Sequence, residues 1–156
     1  HVLVSDPSPL ARQTVARHGG LSAVDPTHER LADALRRVTG QAECHAVFDT
    51  VGSAETFAEA LPLLSPAGTY VNLAVQDLSV PLNFEAVGSE RRITTSSNAF
   101  YRDEREAHRL IESGAVDVTA MITHRLPLER YAEAFDLLLA ASREAYKVVF
   151  QMDGTI

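Results

Sequence analysis

The strongest constraint on the fold is a repeated pairing of a short, apolar, β-branched run with a longer amphipathic stretch. Val2–Ser5 is the first such run and suits a strand buried on both faces of a parallel sheet. Asp6-Pro7-Ser8-Pro9 ends it, with Pro9 where the first turn of a helix tolerates proline. Leu10, Val15 and Ala16 give the following helix one apolar side, Arg12 and Arg17 solvate the other, and Gly19-Gly20 stops it. The pairing then recurs. Residues 22–24 read as a strand, Asp25-Pro26-Thr27 as turn and cap, and 28–38 as a helix closed by Gly40. Residues 45–49 read as the next strand, and Thr50-Val51-Gly52-Ser53 as a turn. A helix follows over 54–64, with Phe57, Ala60, Leu61 and Leu64 at helical spacing. Pro66-Ala67-Gly68 is expected to break that helix, and 69–75 to form a strand. Repeated units of this length imply an α/β fold with a parallel sheet and right-handed crossovers.

After Val75 the rhythm changes. Residues 79–83 read as a short extended piece whose Pro81 suits a sheet edge, and 91–96 as a further strand. A helix over 103–113 closed by Gly114, a strand over 121–126, an amphipathic helix over 128–141 and a strand over 146–152 complete the pattern. The chain opens on His1-Val2-Leu3-Val4-Ser5-Asp6, already inside a strand, and so reads as cut from something longer.

The 156 residues carry 14 Lys and Arg against 21 Asp and Glu, a net charge of −7 that argues against a nucleic-acid partner or an anionic membrane surface. No apolar run approaches the ~18 residues of a membrane span. The single cysteine, Cys44, excludes an internal disulfide and a multi-cysteine zinc cluster, and fits a soluble protein of the reducing cytoplasm.

Asp6 is the first candidate for chemistry. An acid at the carboxyl end of the second strand of a dinucleotide-binding fold accepts hydrogen bonds from the adenosine ribose and repels a 2′-phosphate, favouring NAD over NADP. The alternative is that Asp6 merely opens an Asp-Pro turn.

Five stretches supply context. They are Val2-Leu3-Val4-Ser5-Asp6; Val47-Phe48-Asp49-Thr50-Val51-Gly52; Pro66-Ala67-Gly68-Thr69-Tyr70-Val71-Asn72; Ile122-Thr123-His124-Arg125-Leu126-Pro127-Leu128 followed by Ala132-Glu133-Ala134-Phe135; and Lys147-Val148-Val149-Phe150. In this order they resemble the medium-chain dehydrogenase/reductase family, and within it the zinc-type alcohol, sorbitol and butanediol dehydrogenases. The resemblance implies a Rossmann-like, doubly wound parallel sheet, NAD, and hydride transfer from an alcohol or polyol with zinc polarising the alcohol oxygen.

Carried over by position, the resemblance gives Asp6 the adenosine ribose, and Thr50, Val51 and Gly52 the adenine-ribose side. Leu73, Ala74 and Val75 fall to the nicotinamide, Ser97 with its neighbours Ser96 and Asn98 to the carboxamide, and Lys147 to the pyrophosphate. The family's basic residue stands five after the ribose acid, where this chain has Ala11. Arg12 follows one later, rotated on a helix by about 100°.

The family's GxGxxG loop and first strand are missing from this sequence, and no catalytic or metal-ligating residue is assigned within it. Cys44, His45 and His124 read as structural. The implied organisation is a truncated Rossmann nucleotide-binding domain over 1–98, lacking its first strand and glycine loop. A helix/strand segment over 99–156 follows, which in complete members packs on the catalytic domain.

Without its central strand the sheet has open inner edges. These are met by closing up, by another chain, or by a longer parent. Exposed apolar residues on the last helix (Phe135, Leu137, Leu138 and Leu139) and the 79–83 edge imply a homodimer or higher self-association. The expectation is the NAD(P)-binding portion of a zinc-type alcohol or polyol dehydrogenase with NAD as acceptor, inactive by itself. A non-catalytic α/β nucleotide- or protein-binding module and a zinc-free quinone-reductase-like parent are the alternatives.

Overall fold

A computed structural model describes residues 1–75, 79–80, 82–140 and 145–152. Its elements follow in the order β1 (Val2–Ser5), α1 (Pro9–Ala16), β2 (Leu21–Val24), α2 (Leu31–Thr39), β3 (Cys44–Asp49), α3 (Ala54–Ala60), a 3-10 turn (Leu61–Leu63), and β4 (Leu64–Asn72). Then come α4 (Phe84–Val87), β5 (Arg92–Thr95), α5 (Tyr101–Glu112), a 3-10 turn (Thr119–Met121), β6 (Ile122–Pro127), a 3-10 turn (Leu128–Arg130), α6 (Tyr131–Leu139) and β7 (Lys147–Gln151). Among the described residues every ladder is parallel: β1 with β2, β3 with β4, β4 with β5, and β6 with β7. This is the α/β architecture that the alternation predicts. Among the described residues β1 and β3 are each paired on one side only.

The chain divides into two compact units. One comprises residues 28–100 with His1, and the other Val2–Thr27 with the described residues from Tyr101 onward.

In the 28–100 unit the core is Ala60, Leu61, Leu64 and Tyr70, with Cys44, Val47, Phe57 and Val87 packed against it. Phe57 meets Tyr70 edge-on, ring centroids 5.1 Å apart. The helix expected over 54–64 stops at Ala60. Pro62 lacks the amide an α-helix needs, the chain tightens into a 3-10 turn, and Leu64 begins β4 opposite Cys44.

Pro66-Ala67-Gly68, expected to separate helix from strand, instead lies inside β4 as an irregularity between the Cys44–Leu64 and Ala46–Thr69 pairs. Ala67 takes a left-handed φ of 59°, its N–H donates to Ser89 O at 2.8 Å, and Arg91 Nε donates to Leu64 O at 2.8 Å. These ties hold a conformation that non-glycine residues avoid.

α2 starts at Leu31 rather than at residue 28. Asp25 closes its own turn onto Thr27, and the Leu31 N–H takes a carboxylate oxygen of Glu59 at 3.0 Å. Gly40 ends α2 at φ 72°. α4 was not foreseen, and the edge expected around Pro81 lies partly outside the described residues.

In the other unit Ser8 caps α1 by accepting from Ala11 N, with Pro9 in the first turn. His18, just past α1, places Nδ1 3.0 Å from Thr14 O and Nε2 3.0 Å from Asp117 O. The Thr14 bond first, and then that to Asp117, raises its pKa, since two carbonyl acceptors are best met by a doubly protonated ring. Ala11, Val24, Leu126 and Ala134 are buried.

The helix expected over 128–141 is a 3-10 turn followed by α6, and Ala141 lies outside the described residues. Phe135, Leu138 and Leu139 are 58%, 51% and 82% exposed, as anticipated for this helix, whereas Leu137 is partly buried. No helix of the described residues is long and apolar enough to cross a membrane.

Candidate functional site

The carboxyl ends of parallel strands are where α/β sheets bind ligands, and each unit presents such an edge. Ser5 of β1 pairs with Val24 of β2, so Asp6 and Asp25 leave their strands side by side. The Asp6 N–H donates to Val24 O at 3.2 Å, and the Ser8 N–H donates to Asp6 Oδ1 at 2.7 Å. Among the described residues the Ser8 bond is the one hydrogen bond to that carboxylate, which leaves its second oxygen available to a ligand. Arg12 reaches back from α1, donating from Nη1 to Asp6 O at 2.7 Å and pairing Nη2 with Asp25 Oδ2 at 2.8 Å. Asp25 Oδ1 accepts from Thr27 N and Oγ1 at 3.0 and 2.6 Å. The rotated register of Arg12 thus turns its guanidinium onto the main chain of Asp6 and a second acid.

At the carboxyl ends of β3, β4 and β5, Asp49 organises the turn that follows it. Only 6% exposed, it accepts through Oδ1 from Val51 N at 2.8 Å and Gly52 N at 3.0 Å, and through Oδ2 from Thr56 Oγ1 at 2.7 Å and from the Tyr70 hydroxyl. Burial pushes the Asp49 pKa up, but the bonds from Tyr70, Gly52, Thr56 and Val51 outweigh it and hold the pKa below the usual aspartate value. Burial and the same bond to Asp49 push the Tyr70 phenol upward. Ser53 and Thr56 close a reciprocal capping box at the start of α3.

Gly52 has φ 67°, and a Cβ there would lie 2.5 Å from Ala74 Cβ, so it is glycine on two counts. Gly52→Ala is expected to lower stability by about 2 kcal/mol, read by thermal or urea unfolding.

Residues 73–75 were expected to finish the β4 strand, yet β4 ends at Asn72. The Asn72 side chain bonds the Ala74 N–H at 3.2 Å and pulls the chain out of the ladder, although Leu73 N still donates to Asp49 O at 2.8 Å. Thr50, Val51, Gly52, Leu73, Ala74 and Val75 therefore gather at one strand-end edge. Ser96 joins them by donating its N–H to Asn72 O at 3.0 Å, and the exposed Ser97 follows. Lys147 opens β7 in the other unit, where its carbonyl accepts from Thr123 Oγ1 at 3.2 Å.

The sequence profile of the family described as zinc-binding dehydrogenase matches residues 1–113. The chain belongs to the zinc-binding dehydrogenase family. Among curated relatives, an alcohol dehydrogenase of Cupriavidus necator is 32% identical over 111 residues, covering 69% of this chain and 30% of its own length. L-galactonate-5-dehydrogenase of Escherichia coli K12 is 29% identical, covering 95% of this chain and 44% of its own. A short chain alcohol dehydrogenase of E. coli CFT073, solved with the cofactor NADH, superposes with a TM-score of 0.84 at 19% identity over 97% of this chain and 44% of its own. That likeness establishes the Rossmann-like dehydrogenase fold. The chain spans less than half the length of these relatives.

The described residues of this chain do not themselves fit a zinc ion. Among the described residues no group of three or more His, Cys, Asp or Glu could hold a metal, and burial pushes the half-buried Cys44 thiol up, away from the thiolate that zinc requires. The Asp6 edge offers a half-buried carboxylate with one oxygen that accepts no hydrogen bond among the described residues, the kind of acceptor that ribose hydroxyls need.

Sequence reading missed three side chains that build these edges, Asp25 and the Asp49–Tyr70 pair. Asp49 and Tyr70 each lie inside a stretch that carried the resemblance. The pattern Asp49-x-x-x-Ser53-x-x-Thr56 was a usable signal, since an acid before a capping box has turn amides within reach.

Proposed function

We propose that this chain is the NAD-binding portion of a zinc-type alcohol or polyol dehydrogenase. The observation that carries the reading is Asp6: a half-buried carboxylate at the carboxyl end of β1, fixed by Ser8 on one oxygen and uncommitted on the other. In its own unit Asp6 accepts from the ribose hydroxyls, Arg12 holds the Asp6 main chain, and Lys147 is the cation assigned to the pyrophosphate. In the other unit the 50–52 turn lines the adenine-ribose side, with Gly52 permitting close backbone approach. Leu73, Ala74 and Val75 offer an apolar wall to the nicotinamide, and the backbone around Ser97 meets its carboxamide. Bound NAD supplies the acceptor for a hydride from an alcohol carbon. The chemistry at that carbon, including any use of zinc, belongs to the whole protein beyond these residues. A cytoplasmic, homodimeric protein completes the proposal, supported by the lone reduced thiol of Cys44 and the exposed apolar face of α6.

Fluorescence titration of the complete gene product with NADH tests this. Asp6→Ala is expected to weaken binding ~10-fold or more, through loss of charge-assisted bonds to the sugar. Unchanged affinity in that variant refutes the role of Asp6.

A further inference from the structure

The Asp6 edge contains two opposite instructions about cofactor choice. An acid after the strand favours the free ribose hydroxyls of NAD, while an arginine beside it is the group that accommodates the 2′-phosphate of NADP. Both are here, with Arg12 Nη1 only 2.7 Å from the carbonyl of Asp6 itself. Both cofactors also occur among the structural neighbours. The E. coli CFT073 enzyme was solved with NADH, and a zinc-binding dehydrogenase of Sinorhizobium meliloti was solved with NADP. Something in this chain must decide what Arg12 does.

We propose that Asp25 is a specificity-determining positioning residue, which selects the unphosphorylated dinucleotide by holding the Arg12 guanidinium away from the 2′-phosphate. This rests on the dinucleotide reading given above. Asp25 is placed for it by the β1–β2 register, which sets it beside Asp6 at the same strand-end edge. Its Oδ2 pairs with Arg12 Nη2 at 2.8 Å while Thr27 N–H and Oγ1 fix its Oδ1, so the carboxylate is held from both sides. The pair is largely shielded, with both side chains about one-fifth exposed (22% and 21%), which weakens solvent screening of the contact. Among the described residues, Asp6 and Asp25 both face the Arg12 guanidinium at this edge, one through its main-chain carbonyl and one through its carboxylate. A 2′-phosphate arriving there meets one uncommitted carboxylate oxygen on Asp6 and a cation already spent on Asp25 and a carbonyl.

Asp25→Asn tests the idea, because the amide oxygen can still accept from Thr27 while the charge that holds Arg12 is gone. Dissociation constants for NADH and NADPH are measured by fluorescence on the complete gene product, with circular dichroism confirming the fold. The Kd ratio of NADPH to NADH is expected to fall ~10-fold relative to wild type. Asp25→Glu should restore the wild-type ratio by recapturing the guanidinium, and adding Arg12→Gln to Asp25→Asn should abolish the gain. A ratio unmoved by Asp25→Asn, or equal weakening of both cofactors, overturns the proposal and makes the pair purely structural. Should Asp25→Asn fail to fold, Asp25→Ser is the substitute, since its hydroxyl also accepts from Thr27. Unfolding of both variants likewise overturns the proposal. A wild-type protein that binds neither dinucleotide fails the functional reading itself, and this one with it.

Discussion

Asp49→Ala is expected to lower the stability of the fold by ~3–5 kcal/mol, a large part of the ~5–15 kcal/mol typical of a domain. The carboxylate is 6% exposed and satisfies four donors from three places: the turn amides of Val51 and Gly52, the Thr56 hydroxyl on α3, and the Tyr70 hydroxyl on β4. Alanine removes the acceptor that the Gly52 amide and the Tyr70 hydroxyl share, where water enters poorly, while Thr56 Oγ1 keeps its bond to Ser53 O at 3.0 Å; the cost of an unmet buried donor exceeds the net gain from making the bond. Urea unfolding should show a lower midpoint with an unchanged slope.

The pH dependence carries a second signature of the same group. Its folded pKa is lowered, so its contribution is fully present above the ordinary value of 3.8 and is lost as pH falls through the lowered folded value. Asp49→Asn should therefore flatten the acid limb of the wild-type stability profile below about pH 4. An acid limb identical in the two proteins sinks this account of Asp49.

The order and type of most elements were legible because they follow from periodicity and punctuation. Gly40 and Gly114 close their helices in the left-handed conformation expected of them, and Ser53, the last residue of the turn assigned to 50–53, caps α3. What could not be read were places where a distant partner sets the local outcome. Pro66-Ala67-Gly68 looks like a breaker by composition, yet Ser89 and Arg91 supply the bonds that keep it within β4. The start of α2 depends on a carboxylate of Glu59, twenty-eight residues away. Asp6 could be singled out because an acid at the end of a strand in a strand-helix unit points to a ribose contact as well as to an Asp-Pro turn. Asp25 could not, because its meaning comes from Arg12, and the direction of Arg12 follows from a one-residue register difference on α1. The family resemblance could supply roles for positions it shares, and an ion pair built on a departure from its pattern falls outside that reach.

Leu64→Ala is the second substitution expected to cost several kcal/mol, and it tests the least expected feature of the chain. Read by periodicity, Leu64 closes the helix that begins at Ala54. In the fold it opens β4, fully buried, packed with Ala60, Leu61 and Tyr70 and paired in register with Cys44. The two placements predict different losses. At the frayed end of a helix, truncation removes a partly solvated side chain and costs ~1 kcal/mol or less. In the core it removes the transfer energy of the buried atoms and leaves a cavity whose walls include an aromatic pair, which costs ~3–5 kcal/mol. The core of this unit is small, so few neighbours can collapse into the space, and the upper part of that range is expected. The loss should extend to the Asp49 network, because Tyr70 both lines the cavity and donates to Asp49. Hydrogen exchange at the Val51 and Gly52 amides, which are bonded to Asp49, should accelerate in Leu64→Ala along with global unfolding. A loss below ~1 kcal/mol, with those amides still protected, would return Leu64 to the helix end.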